Sequence, residues 1–494
     1  MAQVNCLVFD LGASNGRAVV ASFDGERYGL EVTHRFENRP VTAAGTVWWD
    51  LLRLYSELEA GIQRSLRATP ALSSLGVNTW GVDFGFIDKA GRPLGNPVHY
   101  RDSRRNAMAD EVYRHIPREE LFRLTGTPVL SIISLFNLYA MKRDGVPELR
   151  EAHRCLMMPD LFHFLLCGVP VNEYTQATTT VIYNQVERRW EHRILDRLRI
   201  PRSLFSEPVM PGTRIGALSP AVCRELEVPA IPIIVPGTHD TASAEAGIPV
   251  SPGERDWAFL SLGTWGVVGT EVDAPRIDRA LHASGFGNEG RADGGTFLAA
   301  NVTGLWIVQQ CRQKWMHDRG SELGWDDIVR LALAEPRLRF TIDVDDPAFS
   351  AVHPDVPRLI AEWCVAQGQQ APSSIGETAR CVYESLVLKF RYRFEQLARL
   401  TDRPLRLIHM VGGGTQCRPL CQWTADATGI PVVAGPTEST VAGNFVMQLK
   451  GLGEISSLAE GRQIIARSSE TSLYEPGDKA PWDEAYERWR THLW

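Results

Sequence analysis

The sequence predicts an α/β protein made of two related domains. Apolar runs of strand length alternate with segments of helical spacing along most of the chain. One pattern, an apolar strand, a glycine-containing turn and a second apolar strand, occurs at 6–21 and again at 257–269, about half the chain apart. A repeat at that separation indicates two related domains that face one another.

Composition and charge narrow the class of protein. The 494 residues are 44% hydrophobic and 22% charged, which is typical of a globular protein with about two or three domains. A net charge of −7 argues against nucleic acid as the main partner. The nine cysteines include no zinc-like pairs, so we expect thiols, with Cys364 and Cys381 able to meet across a helix-loop-helix.

The sequence also bears on location. No apolar run is long enough to cross a bilayer, and the first residues lack the charged and apolar regions of a signal peptide. We therefore expect a cytoplasmic protein with no membrane partner. The oligomeric state is not indicated by the sequence.

The first strand ends in a glycine-containing turn that reads Asp10-Leu11-Gly12-Ala13-Ser14-Asn15-Gly16-Arg17. Because a second strand follows, this is a hairpin rather than a Walker loop or a dinucleotide fingerprint. Its open backbone N–H groups suit phosphate, and Asp10 could hold a hydrated Mg²⁺. The alternative is a plain Asn-Gly hairpin with a solvated aspartate.

A helix predicted over 49–67 leads to a strand at 75–79 and then to Trp80-Gly81-Val82-Asp83-Phe84. Ligands of α/β sheets bind beyond the carboxyl ends of strands. A Trp face beside a carboxylate commonly holds a sugar, although a structural Trp is equally common. The segment is therefore a candidate sugar contact, and a structural role for Trp80 stays open.

The next part of the chain is mainly helical. We expect a polar helix from Tyr100 to about His115, helical pieces at 118–124 and 132–142, and another helix beginning at Met158. The threonine-rich stretch at 174–180 is expected to be a strand, and 201–220 a loop.

The central segment carries the strongest candidate for catalysis. A buried strand at 231–235 stops at Pro236-Gly237, and small residues that begin a helix follow His239-Asp240-Thr241. A helix start favours an ionised carboxylate, and Asp240 could then accept a proton from a substrate hydroxyl. The alternative is that Asp240 is only an N-cap.

In the second half, the repeated hairpin at 257–269 is followed by a turn at 287–290 and by a helix after Asn301 that carries Gln309. A long helix over 379–400 precedes a strand that ends in Gly412-Gly413-Gly414. Three glycines between a strand and a helix let a flat ring or a phosphate touch the backbone.

Taken together, these motifs resemble those of the FGGY carbohydrate kinases, and within that family the branch that acts on L-rhamnulose. They occur in family order over roughly residues 1–450. The motifs that carry the resemblance are Asp10 to Arg17, Thr79-Trp80-Gly81-Val82-Asp83-Phe84, Tyr100-Arg101-Asp102-Ser103-Arg104, Met158-Pro159-Asp160, His239-Asp240-Thr241-Ala242-Ser243-Ala244, Leu262-Gly263-Thr264-Trp265, Gly304-Leu305-Trp306 and Val411-Gly412-Gly413-Gly414.

The resemblance implies two ribonuclease-H-like α/β domains of the sugar kinase, actin and heat-shock-protein superfamily. An N-terminal domain would span 1–247, a C-terminal domain 248–455, and a tail 456–494 would pack on them. The resemblance assigns Asp240 as the catalytic base, and Asp10, at the end of the first strand, would position Mg²⁺ through water. Sugar contacts are implied at Gly81, His239, Asp240, Thr241 and Asn301, and ATP contacts at Ala13, Ser14, Asn15, Gly16, Arg17, Thr264, Gln309 and Gly413.

The activity that the resemblance implies is ATP-dependent phosphorylation of a ketose at its 1-hydroxyl, with L-rhamnulose expected first. L-fuculose and L-xylulose stay open, because single hydroxyl inversions are read by a few hydrogen bonds. A base with a low pKa would suffice for this transfer. A rival of another class is a non-catalytic, actin-like nucleotide switch, against which the presence of Asp240 speaks.

Overall fold

The computed structural model describes residues 3–105 and 107–491, and these form two units. Unit 1 consists of the residues up to Gly253, Glu271–Leu298 and Ser439–Ser469; unit 2 consists of Glu254–Thr270, Ala299–Glu438 and the residues from Glu470 onward. The first segment of unit 1 ends close to the predicted boundary at 247. Its two later segments come from the sequence beyond that boundary.

The strands are, in chain order, β1 (Val4–Leu11), β2 (Asn15–Phe23), β3 (Tyr28–Glu37), β4 (Val41–Ala43), β5 (Thr46–Trp48), β6 (Ser74–Thr79), β7 (Phe84–Ile87), β8 (Arg154–Met157), β9 (Tyr183–Asn184), β10 (Arg189–Trp190), β11 (Thr213–Ala217), β12 (Pro232–Val235), β13 (Trp257–Leu262), β14 (Trp265–Val272), β15 (Gly287–Gly290), β16 (Thr296–Thr303), β17 (Leu407–Val411), β18 (Val432–Ala434) and β19 (Ser472–Tyr474).

The α-helices are α1 (Leu51–Ala68), α2 (Met108–His115), α3 (Arg118–Thr125), α4 (Ser134–Arg143), α5 (Pro147–Glu151), α6 (Met158–Cys167), α7 (Tyr174–Ala177), α8 (His192–Arg197), α9 (Pro220–Leu226), α10 (Asp240–Ala246), α11 (Arg279–Ser284), α12 (Trp306–Arg319), α13 (Trp325–Ala334), α14 (Val356–Ala366), α15 (Ile375–Thr401), α16 (Arg418–Thr428), α17 (Ser439–Leu452), α18 (Leu458–Ser468) and α19 (Ala480–Arg490). In the described ranges, no helix is both long and apolar enough to cross a membrane.

The main sheet of unit 1 has the strand order β11-β12-β6-β1-β2-β3. Strands β1 and β2 form an antiparallel hairpin, while β6 runs parallel to both β1 and β12. The carboxyl ends of the three parallel strands therefore meet at one edge of the sheet. A bridge between Thr79 and His239 continues this edge, which brings three predicted site segments together.

Strand β1 is apolar on both faces because helices cover both sides of the sheet. Leu7 and Phe9 pack in a cluster with residues of α1, and Cys6 and Val8 pack in a second cluster with residues of α17. A near-continuous apolar run is what a strand buried on both faces requires.

Helices α10 and α17 pack with their backbones almost in contact. A Cβ atom at Gly443 would lie 1.8 Å from the carbonyl oxygen of Ser243, and one at Gly247 would lie 2.0 Å from the carbonyl oxygen of Ser439. Only glycine allows this approach. The position of α10, which begins at Asp240, therefore depends on α17.

In unit 2, β13 pairs antiparallel with β14 and parallel with β17, and β17 runs parallel to β18. Strand β19 completes this edge antiparallel to β18. The predicted second hairpin and the strand before the three glycines are thus neighbours in one sheet. Cys364 of α14 and Cys381 of α15 are thiols within hydrogen-bond distance of each other.

Four local predictions were wrong. The segment at 287–290, expected to be a turn, is strand β15, because its backbone pairs with β16 in a sheet. The stretch at 174–180 begins with helix α7 rather than forming a strand, because the side chain of Glu173 accepts hydrogen bonds from the first backbone N–H groups and caps a helical turn. The expected loop at 201–220 contains β11, which pairs with β12. The polar helix expected from Tyr100 begins only at Met108.

Candidate active site

Asp10 lies at the end of β1 and is held by two neighbours. Its Oδ2 accepts hydrogen bonds from Arg17 Nε (3.1 Å) and Nη2 (2.9 Å), and its Oδ1 accepts one from Asn78 Nδ2 (2.7 Å). Arg17 stands opposite Asp10 in the hairpin register, and Asn78 stands opposite it on β6. Asp10 is therefore an oriented, ion-paired carboxylate and not the solvated aspartate of a plain hairpin.

A buried chain of amides sets the orientation of Asn78. Asn78 Oδ1 accepts from Asn444 Nδ2 at 2.8 Å, Asn444 Oδ1 accepts from Gln448 Nε2 at 2.7 Å, and Gln448 Oε1 accepts from Ser74 Oγ at 2.7 Å. Because the side-chain oxygen of Asn78 accepts the hydrogen bond from Asn444, the side-chain NH₂ group of Asn78 must point at Asp10. In the sequence, this buried chain is signalled by Asn444 and Gln448, a polar i, i+4 pair in a helix of small and apolar residues.

Hydrogen bonds within the turn and from Asn38 hold the tip of the first hairpin in place. Gly12 N donates to Asn15 O at 2.8 Å, and Asn38 donates from its backbone N to Ser14 O and from its Nδ2 to Gly12 O. Ser14 and Asn15 themselves are exposed, while Ala13 is half-buried. The turn thus presents its outer residues to solvent in a defined shape.

The turn after β6 has a strained backbone. Val82 has a φ of +67°, which is unfavourable for a β-branched residue. Its N–H donates to Thr179 Oγ1 and its carbonyl accepts from Ser134 Oγ at 2.7 Å, so tertiary contacts maintain the conformation. Gly81, the predicted sugar contact, precedes this residue and is half-buried.

Asp83 cannot serve as the sugar-binding carboxylate considered from the sequence. It is fully buried, and its Oδ1 accepts from Arg105 Nη2 at 2.6 Å. Its Oδ2 accepts from Trp49 Nε1 and Trp80 Nε1. Trp80 is also buried, so this pair supports the turn from within the unit instead of facing a ligand.

Asp240 is the first residue of α10 and faces outward. The N-cap position is occupied by His239, whose side chain makes no cap hydrogen bond, so the alternative that Asp240 is only an N-cap does not hold. The Asp240 side chain is about one-third exposed. Its Oδ1 accepts from Thr241 Oγ1 at 3.3 Å and lies 3.5 Å from His239 Nε2.

The electrostatics of Asp240 differ from the expectation of a low pKa. Partial burial is the main reason why the pKa of Asp240 is raised; His239 opposes the shift, and the charge of Asp10 adds to it. A second carboxylate nearby disfavours ionisation. Asp240 therefore binds a proton more tightly than an ordinary aspartate.

His239 lies between two carboxylates. Its Nδ1 is 3.3 Å from Glu289 Oε2, and its Nε2 faces Asp240. A Cβ atom at Gly81 would lie 3.1 Å from His239 Nε2, so any side chain at this position would crowd the ring. Burial opposes the charged imidazole, but Glu289 and Asp240 outweigh it and raise the pKa of His239.

Glu173 supports the segment before Asp240. This buried carboxylate accepts from the hydroxyls of Thr175 (2.6 Å) and Thr238 (2.5 Å), and Thr175 Oγ1 in turn accepts from His239 N. Sequence analysis identified neither Glu173 nor Glu289 as a site residue. Of the two, only Glu289 has a local sequence signal of a site residue, because it is the one charged residue in the segment from Gly287 to Gly290.

The remaining predicted residues belong to unit 2. Thr264 is in the turn between β13 and β14, where Leu305 N donates to Gly263 O and Trp306 N donates to Thr264 O. Gln309 lies in the first turns of α12, directly after this contact. The structure thus brings Thr264 close to the start of the helix that carries Gln309.

The three glycines follow β17 at the same end of the unit 2 sheet. Gly412 has a φ of +86°, and a Cβ atom there would lie 2.9 Å from Leu262 O. Gly413 is exposed and a Cβ atom there would meet nothing within 4 Å. Asn301 is exposed on β16.

In the described part of the chain, no group of three or more His, Cys, Asp or Glu side chains could hold a metal ion.

Models of known families match almost the whole chain. Residues 5–247 match the N-terminal domain of the FGGY family of carbohydrate kinases, and residues 258–452 match the C-terminal domain of that family. Solved structures share the fold: a xylulose kinase from Lactobacillus acidophilus has a TM-score of 0.81 at 17% identity, covering 99% of this chain and 97% of its own. Plasmodium falciparum glycerol kinase with ADP has a TM-score of 0.79 at 14% identity, covering 99% and 98%.

Curated relatives are more similar in sequence. A protein named rhamnulokinase from Bacteroides thetaiotaomicron is 37% identical over 482 residues, which is 98% of each chain. One of the same name from Pectobacterium atrosepticum is 35% identical over 479 residues, covering 96% of this chain and 94% of the relative. With both domain models matched and these relatives aligned over nearly their full length, the chain belongs to the FGGY family of carbohydrate kinases.

Proposed function

We propose that this chain transfers the γ-phosphoryl group of ATP to the 1-hydroxyl of L-rhamnulose, giving L-rhamnulose 1-phosphate and ADP. Two relatives named rhamnulokinase, at 37% and 35% identity over nearly the whole chain, support this substrate. The observation that carries the chemistry is Asp240, a partly exposed carboxylate of raised proton affinity beside His239 and Thr241.

Asp240 is proposed as the general base. The transferred phosphoryl group passes through a loose transition state, so the enzyme gains most from alignment and charge neutralisation. Asp240 accepts the hydrogen bond of the 1-hydroxyl and takes its proton as the new O–P bond forms. Its raised pKa makes the deprotonated carboxylate a stronger base than an ordinary aspartate.

The other residues of the site are proposed in the roles that the family motifs imply. The residues proposed to contact the sugar are Gly81, His239, Thr241 and Asn301. The residues proposed to contact the nucleotide are Ala13, Ser14, Asn15, Gly16, Arg17, Thr264, Gln309 and Gly413. Because ATP is the phosphoryl donor, the cytoplasm is the proposed location.

Magnesium fits at Asp10 if it keeps most of its water. Mg²⁺ in kinases is bound by one or two carboxylates and retains several waters, so a single oriented carboxylate is enough. Oδ2 of Asp10 accepts two hydrogen bonds from Arg17, whereas Oδ1 accepts one from Asn78 and keeps a lone pair for a water ligand of the ion. When bound, the ion would neutralise charge on the phosphates.

The test is an assay of ADP release over a panel of ketoses, run on the parent chain and on Asp240→Asn. We expect the highest kcat/KM with L-rhamnulose and a loss of about 10²–10⁴-fold in kcat for Asp240→Asn, the usual contribution of a general base. Asp144→Asn, at an exposed position of unit 1, is the matched control and should keep the parent kcat.

Three outcomes would contradict parts of the proposal. A folded Asp240→Asn variant with near-parent turnover would exclude Asp240 as the base. A preference for L-fuculose or L-xylulose would replace the substrate but keep the reaction. ADP release that does not depend on any ketose would indicate a nucleotide switch or an ATPase instead.

A further inference from the structure

We propose that Glu289 is a positioning residue that holds His239 in its doubly protonated form, so that His239 Nε2 donates a hydrogen bond to the ketose beside the base Asp240. The inference rests on the proposed function and deepens it, since it assigns the charge state of the sugar-binding histidine. The family motifs that identify the site contain His239 and Asp240 but not Glu289.

The contacts of the imidazole ring favour two protons on it. Oε2 of Glu289 is buried and accepts no hydrogen bond from the other described residues, and Nδ1 of His239 lies 3.3 Å from it. A proton on Nδ1 gives this buried carboxylate oxygen the partner that it otherwise lacks. On the other side of the ring, Nε2 lies 3.5 Å from Asp240 Oδ1. A neutral ring would direct the Nε2 lone pair at a carboxylate oxygen, which is repulsive, whereas a second proton makes the contact attractive.

The ring is also held in place by its surroundings. The His239 side chain is only 12% exposed, against 20% for Glu289 and 34% for Asp240. Gly81 borders the ring on the side of the strained turn, where a Cβ atom would meet both the ring and Thr179 Cγ2. The exposed fraction therefore rises from Glu289 and His239 toward Asp240, which is the direction from which a ketose can approach.

Glu289 itself is anchored by the backbone of β15. Asn288 O accepts from Gln185 Nε2 at 2.7 Å, Asn288 Nδ2 donates to Gly126 O at 2.8 Å, and Gly290 N donates to Thr178 Oγ1 at 3.0 Å. Both neighbours of Glu289 in the sequence are thus bonded to other elements of unit 1. A carboxylate on so constrained a strand can orient the ring that it contacts.

The charged groups that face His239 set the sign of a pH dependence. They are Glu289 on β15, Asp240 on α10 and the buried Glu173 before α7, all acidic. They favour the imidazolium and raise the pKa of His239, so the active form is lost as the pH rises through that pKa. Removing the charge of Glu289 lowers the pKa of His239, and the alkaline limb of activity must move to lower pH.

The test is Glu289→Gln, which keeps the size of the side chain and removes its charge. We expect the alkaline limb of kcat/KM to move down by about one pH unit or more, the usual effect of an opposite charge in contact. At the pH where the parent has lost half its kcat/KM, a one-unit shift leaves the variant roughly fivefold below the parent. Glu289→Asp keeps the charge and should keep the limb closer to that of the parent, and Glu151→Gln, at an exposed position, should not move it.

A second measurement is independent of catalysis. Histidine-labelled full-length chain is titrated by NMR, and the His239 signals are assigned as those missing from His239→Gln. The expected result is a His239 titration that moves to lower pH in Glu289→Gln and stays in Glu151→Gln. If the parent phosphorylates no ketose, the proposed function fails while this titration still tests the pair. An unshifted His239 titration, or a Glu289→Gln activity loss equal at all pH values, would overturn the inference.

Discussion

The close packing of α10 against α17 predicts that Gly443→Ala both destabilises unit 1 and slows catalysis. The new Cβ atom would lie 1.8 Å from Ser243 O, 2.7 Å from Ser243 C and 2.9 Å from Gly247 N. All three are backbone atoms, so no side chain can rotate away to make room. The two helices have to separate.

The size of the effect follows from that separation. Contacts of a real Cβ atom are essentially never shorter than 3.0 Å, so a 1.8 Å contact requires a shift of about 1 Å. Overpacking typically costs 1–3 kcal/mol, and the higher helix propensity of alanine returns about 1 kcal/mol. Because the clash is with backbone atoms, the cost lies at the upper end of that range, about 3 kcal/mol, and we expect a net loss of about 2 kcal/mol in the free energy of unfolding. Because α10 begins at Asp240, a 1 Å displacement should also lower kcat, by up to about 10²-fold.

The assay is urea unfolding followed by circular dichroism, together with kcat on the preferred ketose. Gly29→Ala is the matched control: Gly29 is exposed on β3, and a Cβ atom there would meet nothing within 4 Å. It should change the free energy of unfolding by no more than about 0.5 kcal/mol. A Gly443→Ala chain with the unfolding midpoint and kcat of Gly29→Ala would refute the packing argument.

Two further substitutions test the turn after β6. Gly81→Ala places a Cβ atom 3.1 Å from His239 Nε2 and 3.2 Å from Thr179 Cγ2. We expect KM for the ketose to rise roughly tenfold, which corresponds to about 1.4 kcal/mol of strain in the contact, with a smaller change in kcat. An unchanged KM would contradict the close approach. Arg105→Leu leaves Asp83 buried without its cation and should lower the free energy of unfolding by about 3–5 kcal/mol, as measured in urea. Combining it with Asp83→Leu should recover much of the loss, and a single variant as stable as the parent would show that the pair is not needed.

The sequence by itself determined the parts of the site that depend on local pattern. The hairpin that contains Asp10 and Arg17, and the strand and helix on either side of His239-Asp240, follow from apolar periodicity interrupted by glycine and proline. Such signals act over a few residues, and the structure contains these elements where the pattern predicts them. The position of Asp10 and Asp240 at one edge of the sheet also follows in part, because parallel strands bring their carboxyl ends together.

The tertiary structure alone decided which of two similar aspartates faces outward. Asp83 and Asp240 both follow a strand of the same sheet, but the left-handed backbone at Val82 precedes an Asp83 that is buried against Arg105. Asp240, at the start of a helix, is left partly exposed. The sequence cannot state that difference because it arises from contacts between residues distant along the chain.

The same reason explains the partners that sequence analysis missed. Glu289 reaches His239, and Asn444 reaches Asn78, across separations of 50 and 366 positions that no local pattern encodes. The charge state of the histidine and the orientation of the Asp10 carboxylate depend on those partners. Local chemistry therefore indicated the groups that we propose to react, and long-range packing set how each one is held and charged.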